Sequence, residues 1–381
     1  MLSDRDLFAR LVAFDTTSHL SNLPMVEFLQ EYLDRPGVRI RSLPSDGGDK
    51  ANLLVSTGPE RVDGTGLLLS GHMDVVPAEE PDWRSDPFTL TEVGETLVAR
   101  GAADMKGFLA LATNRFAAID PTRLRAPLVL LFTHDEETGT MGARRFSETW
   151  TDRESLPRSV VIGEPTSLQV VRAHKGMLRL RLTFEGKAAH SGYPHLGRSA
   201  IEPAASVIVA LGRLRREMEA ERPAHGDEFP EVPFAALNVG TVNGGSAANV
   251  IPAQCTVGLS VRLLPGMTAA DMTERVRQTV IRTAGETPFT LEHVSESPAM
   301  MLAEDAPIYR QLAGAVGQQG SRSVMFATDA GWLQRMGLEC VLFGPGSIEV
   351  AHRPNEFVPT AELLRAGHVL DDLIQQRCAA P

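Results

Sequence analysis

Cysteine is scarce in this sequence: the chain has only three, Cys255, Cys340 and Cys378, and they lie far apart. An odd number of widely separated cysteines forms neither a disulfide framework nor a cysteine-based zinc ribbon. Such cysteine usage is typical of proteins in a reducing compartment, and we therefore expect a cytoplasmic location.

Basic charge and long apolar runs are also missing. The 37 Lys and Arg residues are outnumbered by 48 Asp and Glu residues, giving a net charge of −11. This balance argues against the basic surface that nucleic-acid binding requires, and it gives no polybasic patch for anionic lipid. No apolar run approaches the about 18 residues of a transmembrane helix, and the charged N-terminus lacks a signal-peptide core. We expect neither nucleic acid nor membrane as a partner.

The length of the chain and its pattern of apolar and polar residues predict two domains. At 381 residues the chain exceeds the roughly 250–300 residues at which a single core stops growing. In residues 1–176, helical patterns alternate with short apolar strands, which predicts an α/β domain with a mixed, mostly parallel sheet flanked by helices. The helices are predicted at 4–14, 23–35 and 107–118, and the strands at 52–56, 66–70, 97–100, 127–132 and 160–163.

Residues 177–297 have a different pattern of apolar and polar residues. The run M-L-R-L-R-L-T-F-E-G alternates apolar and polar residues with period 2, the pattern of a strand with one solvated face. Further patterns predict helices at 200–221 and after Pro265-Gly266, and strands at 236–242, 254–263 and near 289–296. This set predicts a small α+β domain, inserted between residues 1–176 and 298–381 of the larger one.

Five short polar segments follow predicted strands or a glycine-rich turn. Ligand sites in open α/β sheets lie at the carboxyl ends of strands, so these segments are expected to converge. They offer histidine and carboxylate ligands without cysteine, a set that suits zinc, cobalt or manganese. A bound dication would also compensate the repulsion within the acidic run Asp135–Glu137. One segment alone is more often a solvated turn, and the indication comes from all five: Gly71–Asp74, Arg100–Gly107, His134–Gly139, Gly163–Thr166 and Ala351–Glu356.

The segments, in this order and with an inserted domain, resemble those of the M20 metallopeptidase and deacylase family, most of all its acetylornithine deacetylase branch. The resemblance covers nearly the whole chain. It implies a zinc-peptidase-like catalytic domain, an inserted lid or dimerisation domain, a homodimer, and two divalent metal ions, zinc or cobalt. The motifs that carry it are L-V-A-F-D-T-T-S, S-G-H-M-D-V-V-P, G-A-A-D-M-K-G, T-H-D-E-E-T-G, G-E-P-T, A-H-K-G, A-A-H-S-G, N-V-I-P and G-P-G-S-I-E-V-A-H-R-P-N-E.

The resemblance also implies roles for individual residues of the metal centre. His72 and Glu164 are expected to bind one ion and Glu137 and His352 the other, with Asp104 bridging both. Asp74 is expected to hold the second ring nitrogen of His72, and Glu136 to act as general base. Glu136 and Glu137 are expected on an extended segment, pointing to opposite sides. A cis peptide is expected between Asp104 and Met105.

Further residues resemble positions that contact the substrate. His190 is expected to stabilise the developing oxyanion, in its own site or in that of a dimer partner. Asn249 and Arg262 are expected to bind substrate, the arginine through a carboxylate. Gly344 and Gly346 would let backbone amides approach the substrate closely, with a plain tight turn as the alternative. The histidines outside these motif positions, His134 and His174 among them, are interpreted as structural or surface residues.

By resemblance, the expected reaction is removal of the acetyl group from the α-amine of acetylornithine, in arginine biosynthesis, and the expected partner is a small N-acyl amino acid. Glu164, where the family alternative is aspartate, favours deacylases and carboxypeptidases. Asp329 in F-A-T-D-A-G is a candidate to meet the ornithine ammonium group. The alternatives within the family are acetylcitrulline deacetylase, succinyl-diaminopimelate desuccinylase, aminoacylase and glutamate carboxypeptidase.

Alternatives outside the family find little support in the sequence. It lacks the G-x-S-x-G elbow of a serine hydrolase. It also lacks the glycine-rich and Walker A motifs of nucleotide-binding proteins. A non-catalytic binding protein with the same fold would have lost Glu136 or a metal ligand, and all of these residues are present.

Overall fold

The computed structural model describes residues 1–60 and 63–379, which form two compact units. The larger unit contains Met1–Arg172, Leu302–Arg322 and the chain from Thr328 onward. The smaller unit contains Ala173–Met301 together with Ser323–Ala327. This last short segment lies within the part of the sequence that we expected to belong to the larger domain.

The strands of the described residues fall into several sheets. In chain order they are β1 (Val38–Pro44), β2 (Ala51–Thr57), β3 (Leu67–His72), β4 (Thr91–Val93), β5 (Thr96–Val98), β6 (Leu128–Thr133), β7 (Ser159–Ile162), β8 (Ala173–His174), β9 (Gly176–Glu185), β10 (Ala189–His190), β11 (Ala236–Gly244), β12 (Val250–Ile251), β13 (Gln254–Leu263), β14 (Phe289–Ser297), β15 (Met300–Met301), β16 (Ser323–Val324), β17 (Glu339–Leu342) and β18 (Phe357–Pro359).

The α-helices alternate with these strands in the larger unit and pair with a sheet in the smaller one. They are α1 (Asp4–Val12), α2 (Leu23–Leu33), α3 (Gly107–Ala118), α4 (Met141–Thr149), α5 (Ile201–Ala220), α6 (Ala269–Ala284), α7 (Pro307–Val316), α8 (Ala330–Arg335) and α9 (Thr360–Arg377). Within the described part of the chain, none of the helices is long and apolar enough to span a bilayer.

The larger unit is built on a six-stranded sheet with the order β1-β2-β6-β3-β7-β17. Strands β6, β3, β7 and β17 are parallel neighbours, whereas β2 is antiparallel to both β1 and β6. Every residue of β3 and β6 is buried, as expected for strands covered by helices on both faces. The prediction of a mixed, mostly parallel sheet flanked by helices is therefore confirmed.

The pairing of β3 with its two neighbours brings several polar segments to one edge. His72, the last residue of β3, lies opposite Thr133 at the end of β6, and Ser70 lies opposite Ile162 at the end of β7. Because these strands are parallel, the segments that follow them leave the sheet at the same edge. The chain after β6 carries the acidic run, and the chain after β7 carries Glu164.

Two strands differ from the sequence-based expectation. The run 97–100, predicted among the strands of the α/β sheet, overlaps β5 only at residues 97 and 98, and β5 is the middle strand of a separate sheet with the order β18-β5-β4. In this sheet Phe357 pairs with Val98, which places the segment after His352 beside the segment before Asp104. Strand β1 was not predicted, because its sequence V-R-I-R-S-L-P carries Arg39 and Arg41 at the edge of the sheet, where charged side chains are tolerated.

The smaller unit contains an antiparallel sheet with the order β11-β13-β9-β14, and its helices are α5 and α6. Along β9, Leu178, Leu180 and Leu182 are buried, whereas Arg179 and Arg181 are exposed. The alternation follows the period of a strand, so one face of the sheet forms the core. The core includes side chains from both helices, among them Val207, Leu211, Met272 and Val276.

The motif A-H-K-G supplies two buried polar residues of the smaller unit. Burial lowers the pKa of His174 to about 4, so the imidazole is neutral near pH 7. The Nζ atom of Lys175 donates to the carbonyl oxygens of Val232 and Phe234, at 2.5 and 2.7 Å. Burial also lowers the pKa of Lys175, to about 8. Lys175 thereby attaches the loop that contains Val232 and Phe234 to the strands of its own unit.

Candidate metal centre

Two clusters of ligand-type atoms lie at the edge of the large sheet and share one residue. In the first cluster, the Nε2 atom of His72 lies 2.9 Å from Oδ1 of Asp104, and Glu164 completes the group. In the second, the Nε2 atom of His352 lies 3.3 Å from Oδ2 of Asp104 and 2.9 Å from Oε1 of Glu137. The structure thus brings together all five residues proposed as metal ligands, with Asp104 in both clusters.

The backbone that presents these ligands departs from regular geometry at two positions. Asp104 and Met105 lie in a kinked segment with non-helical dihedral angles, and the peptide bond between them is cis, which confirms the expectation. His352 has a left-handed backbone with φ of 61°. Both ligands therefore leave the chain from loops, whereas His72 leaves directly from the end of β3.

Carboxylates dominate the electrostatics of the centre. Burial raises the pKa of Glu164 well above its ordinary value, and the charge of Asp104 raises it further. The pKa of Glu137 is also raised, by burial and by Asp104. Hydrogen bonds to Asp104 and Glu137 raise the pKa of His352 to about 10. These carboxylates outnumber the imidazoles around them, so positive charge is needed to stabilise their ionised forms.

The donor set fits two divalent cations. Oε1 of Glu164 is buried and has no hydrogen-bond partner, which is costly for a carboxylate unless a cation or donor compensates it. Each cluster combines imidazole nitrogen with carboxylate oxygen and contains no thiolate. Zinc and cobalt accept this mixture of ligands.

Glu136 stands beside these ligands but belongs to neither cluster. Burial of its carboxyl group raises the pKa of Glu136 well above the ordinary value, although the charge of His72 acts to lower it. The charges of Glu164, Glu137 and Asp329 raise this pKa further. A carboxyl group with a raised pKa holds a proton more readily near neutral pH, which suits a residue that accepts and returns one.

The acidic run is arranged differently from the expectation. Asp135 is compensated by protein groups, since its carboxylate lies 2.5 Å from Nζ of Lys50 and 2.9 Å from Nδ1 of His134. Glu136 and Glu137 lie in a turn, in which the amide groups of Gly139 and Thr140 donate to the carbonyl of Glu136. The expectation of an extended segment was therefore wrong, and within the run only Glu137 belongs to a ligand cluster.

Asp74 contacts the centre in a way that its spacing from His72 did not predict. The Nδ1 atom of His72 lies 2.9 Å from the backbone carbonyl of Asp74 and 3.9 Å from its carboxylate. The carboxylate instead accepts hydrogen bonds from the amides of Glu136 and Glu137, at 3.0 and 3.2 Å. It also accepts the hydroxyl of Ser18 at 2.8 Å. The carbonyl thus orients the imidazole, and the carboxylate holds the turn.

The two glycines of G-P-G-S use their amides inside the protein. The amide of Gly344 donates to Oγ1 of Thr166 at 3.2 Å, and that of Gly346 donates to Glu362 at 2.8 Å. A Cβ atom at Gly344 would lie 2.4 Å from the carbonyl oxygen of Gly163. The close approach of Gly344 is therefore to the segment that carries Glu164, and both amides have partners within the protein.

Asp329 is almost fully buried, with 1% of its surface exposed. One carboxylate oxygen accepts the hydroxyl of Thr133 at 2.5 Å, and the other, Oδ1, has no hydrogen-bond partner. Burial raises the pKa of Asp329 to about 6. A cationic group placed against Oδ1 would favour the ionised form and lower this pKa.

The remaining predicted residues belong to the smaller unit. His190 pairs with Val250 in the ladder of β10 and β12, and the amide of Ser191 donates to the carbonyl of Asn249 at 2.9 Å. His190 and Asn249 are therefore neighbours, and both are exposed. Arg262 lies on β13, opposite Met177 of β9.

Sequence reasoning assigned no role to two buried charged residues at the metal centre. Arg100 and Glu356 are each 1% exposed and form an ion pair at 3.0 Å. Both lie within the polar segments that carry metal ligands, Arg100–Gly107 and Ala351–Glu356. Their position was the signal that could have identified them in the sequence, because each is a charged residue at one end of a segment that carries a proposed metal ligand.

Comparison with known proteins by sequence shows the family of this chain. Residues 68–376 match the model of a family described as "Peptidase family M20/M25/M40". The chain is 36% identical over 380 residues to an acetylornithine deacetylase of Myxococcus xanthus, covering 98% of this chain and 97% of that protein.

Two solved structures share the fold at low sequence identity. A metallo-carboxypeptidase of the M20 family from Sulfolobus solfataricus has a TM-score of 0.77 at 16% identity, with 98% and 99% of the two chains covered. The YXEP protein of Bacillus subtilis, described as a dinuclear metal-binding peptidase of that family, has a TM-score of 0.66 at 15% identity, with 97% and 98% covered.

The contacts of Asp74 predict a change in backbone protection. Asp74→Ala removes the acceptor of the Glu136 and Glu137 amides, so their hydrogen exchange should become about 10- to 100-fold faster, as expected for loss of hydrogen bonds to a charged group. Peptide-level exchange followed by mass spectrometry measures this. Ser18→Ala, which removes only the hydroxyl donor, should leave both amides nearly as protected as in the wild type. Unchanged exchange in Asp74→Ala would contradict the assignment.

Proposed function

Because the chain belongs to peptidase family M20/M25/M40, we propose that it hydrolyses N2-acetyl-L-ornithine to ornithine and acetate. The family and the deacetylase relatives make it a hydrolase that acts on amides. Metal-dependent amide hydrolysis is supported by the pair of ligand clusters that share Asp104 next to Glu136. The choice of acetylornithine as substrate is supported by the 36% identity to an acetylornithine deacetylase. We place the reaction in arginine biosynthesis and in the cytoplasm.

The five clustered residues are proposed to hold two divalent cations, zinc or cobalt. His72 and Glu164 would bind one, Glu137 and His352 the other, and Asp104 would contact both. When bound, the cations would polarise the carbonyl of the scissile amide and lower the pKa of the attacking water. The carbonyl of Asp74 orients the imidazole of His72 from behind, and such supporting contacts raise the basicity of a ligand.

Glu136 is proposed as the general base. Its carboxylate would take a proton from the attacking water and deliver it to the departing α-amine, so that the residue ends the cycle ionised. The raised pKa described above supports this role, because the proton must be held between the two steps. Asp74 contributes by holding the amide of Glu136, which positions the base.

The smaller unit is proposed to supply substrate contacts. His190 would donate to the developing oxyanion, in its own site or in that of a second copy in a homodimer. Asn249, which neighbours His190, would donate a hydrogen bond to the substrate. Arg262 would bind the substrate carboxylate, for which a guanidinium fork is well suited.

The first test compares substrates with and without metal. Purified protein should hydrolyse N-acetylornithine faster than N-acetylcitrulline, N-acetylmethionine or N-succinyl-diaminopimelate. Chelation should abolish the activity, and added zinc or cobalt should restore it. Preference for another member of the panel would replace the proposed substrate while keeping the metal-dependent hydrolysis. Activity that survives complete metal removal would contradict the proposed chemistry.

The unpartnered oxygen of Asp329 supports a role in recognising the ornithine ammonium group. Asp329→Asn should raise KM for N-acetylornithine by roughly tenfold or more, the size expected for loss of a hydrogen bond to a charged group. KM for the neutral N-acetylmethionine should change much less. Thr133→Val is the matched control, since it removes the hydroxyl donor of Asp329 and keeps its charge. Equal effects of Asp329→Asn on both substrates would rule out this role.

A further inference from the structure

We propose that Glu356 is a positioning residue of the metal centre. Its buried carboxylate holds the loop that carries Asp104 and attaches this loop to the segment that carries His352. The inference rests on the proposed function, because it takes Asp104 and His352 to be metal ligands. Glu356 itself belongs to neither ligand cluster, so it would act only through the residues that it orients.

The carboxylate of Glu356 accepts four hydrogen bonds. Oε1 accepts the amides of Ala103 and Asp104, at 2.9 and 3.0 Å. Oε2 accepts the amide of Gly101 at 3.1 Å and Nη1 of Arg100 at 3.0 Å. With only 1% of the residue exposed, these donors replace the water that a carboxylate would otherwise need.

The three amides come from one short loop, and this explains why the contact affects the ligand. Backbone N–H groups that converge in this way form an anion-binding concavity. Here the anion is a side chain of the protein, and one of the amides belongs to Asp104 itself. The carboxylate therefore fixes the backbone from which the shared ligand projects, before any cation binds.

The same contact joins two of the three segments that carry the second cluster, those of Asp104 and His352. Glu356 lies four positions after His352, on the segment that leads into β18. Arg100 adds a further link, because its Nη1 atom also donates to the carbonyl of Arg353 at 3.3 Å. The distance between the Asp104 and His352 side chains is thus governed by a hydrogen-bonded connection behind them.

Arg100 offers a matched control, because it has a second carboxylate partner. Its Nη2 atom lies 3.2 Å from Oε1 of Glu80. The Glu80 side chain is 37% exposed, and among the described residues its carboxylate accepts hydrogen bonds from the side chains of Trp83 and Arg100. Loss of the Glu80 charge removes an ion pair of Arg100 but leaves the hydrogen bonds between Glu356 and the amides of the Asp104 loop in place.

The test measures zinc binding to the metal-free full-length chain by calorimetric titration. Glu356→Gln preserves size but replaces one acceptor oxygen by an NH2 donor, which cannot accept the amides. We expect zinc affinity to fall by about 10- to 100-fold, the usual effect of losing a residue that supports metal ligands. The loss should affect both ions, because Asp104 is shared. Glu80→Gln should bind zinc like the wild type.

A second variant separates positioning from folding. Glu356→Gln leaves the buried Arg100 charge with less compensation and lowers stability for that reason alone. The double variant Arg100→Gln/Glu356→Gln removes both charges, so its thermal stability should recover towards that of the wild type. Its zinc affinity should stay low, and the visible spectrum of bound cobalt should differ from that of the wild type.

The outcomes distinguish this inference from the proposed function. If the double variant regains both stability and full zinc affinity, Glu356 only balances the charge of Arg100 and the inference is wrong. Normal zinc affinity in a folded Glu356→Gln variant would also overturn it. If the wild-type chain binds no zinc or cobalt, the proposed function fails at an earlier step.

Discussion

The whole arrangement depends on the concentration of negative charge around Asp104. Its carboxylate lies within reach of two imidazoles and belongs to both ligand clusters. Carboxylates brought this close repel one another, and burial adds to the cost of their charges. Cations in the two clusters would stabilise the ionised form, and one of them would supply the partner that the buried oxygen of Glu164 lacks.

The protein holds these ligand-bearing segments by backbone amides that donate hydrogen bonds to side-chain carboxylates. Asp74 holds the turn that carries Glu136 and Glu137, and Glu356 holds the loop that carries Asp104. In both cases an acidic side chain is buried against amides that have no partner in a helix or sheet. Such groups are costly to leave unsatisfied, so each carboxylate and its loop stabilise one another.

The sequence predicted the α/β sheet and the proposed metal ligands for a simple reason. Apolar runs marked the buried strands, and His72, Glu137 and Glu164 lie at or just beyond the ends of parallel neighbours whose carboxyl ends share one edge. The individual ligand roles came from the family motifs, and Asp104 and His352 leave from loops outside these strands. The contacts of Asp74 were less predictable: a separation of two residues allows its carbonyl or its carboxylate to reach His72, and only the backbone conformation decides. The role of Glu356 depends on amides more than 250 positions earlier in the chain, and no local pattern shows such a contact.

Short and charged elements were the other source of error. The run 97–100 is apolar enough for a central strand, but its length does not distinguish the large sheet from the small one that it joins. The left-handed backbone of His352 and the kink at Asp104 are set by tertiary contacts around them. These backbone conformations also direct the two proposed ligands towards each other. The geometry of the site is therefore the feature that the sequence predicted least.

The most direct measurement is a crystal structure of the zinc-loaded protein, with anomalous diffraction recorded on both sides of the zinc absorption edge. Two anomalous peaks should lie at the sheet edge, one among His72, Asp104 and Glu164 and the other among Asp104, Glu137 and His352. The side chain of Glu136 should coordinate neither ion. Zinc found only elsewhere on the surface, or bound directly by Glu136, would contradict the proposed division between ligands and general base.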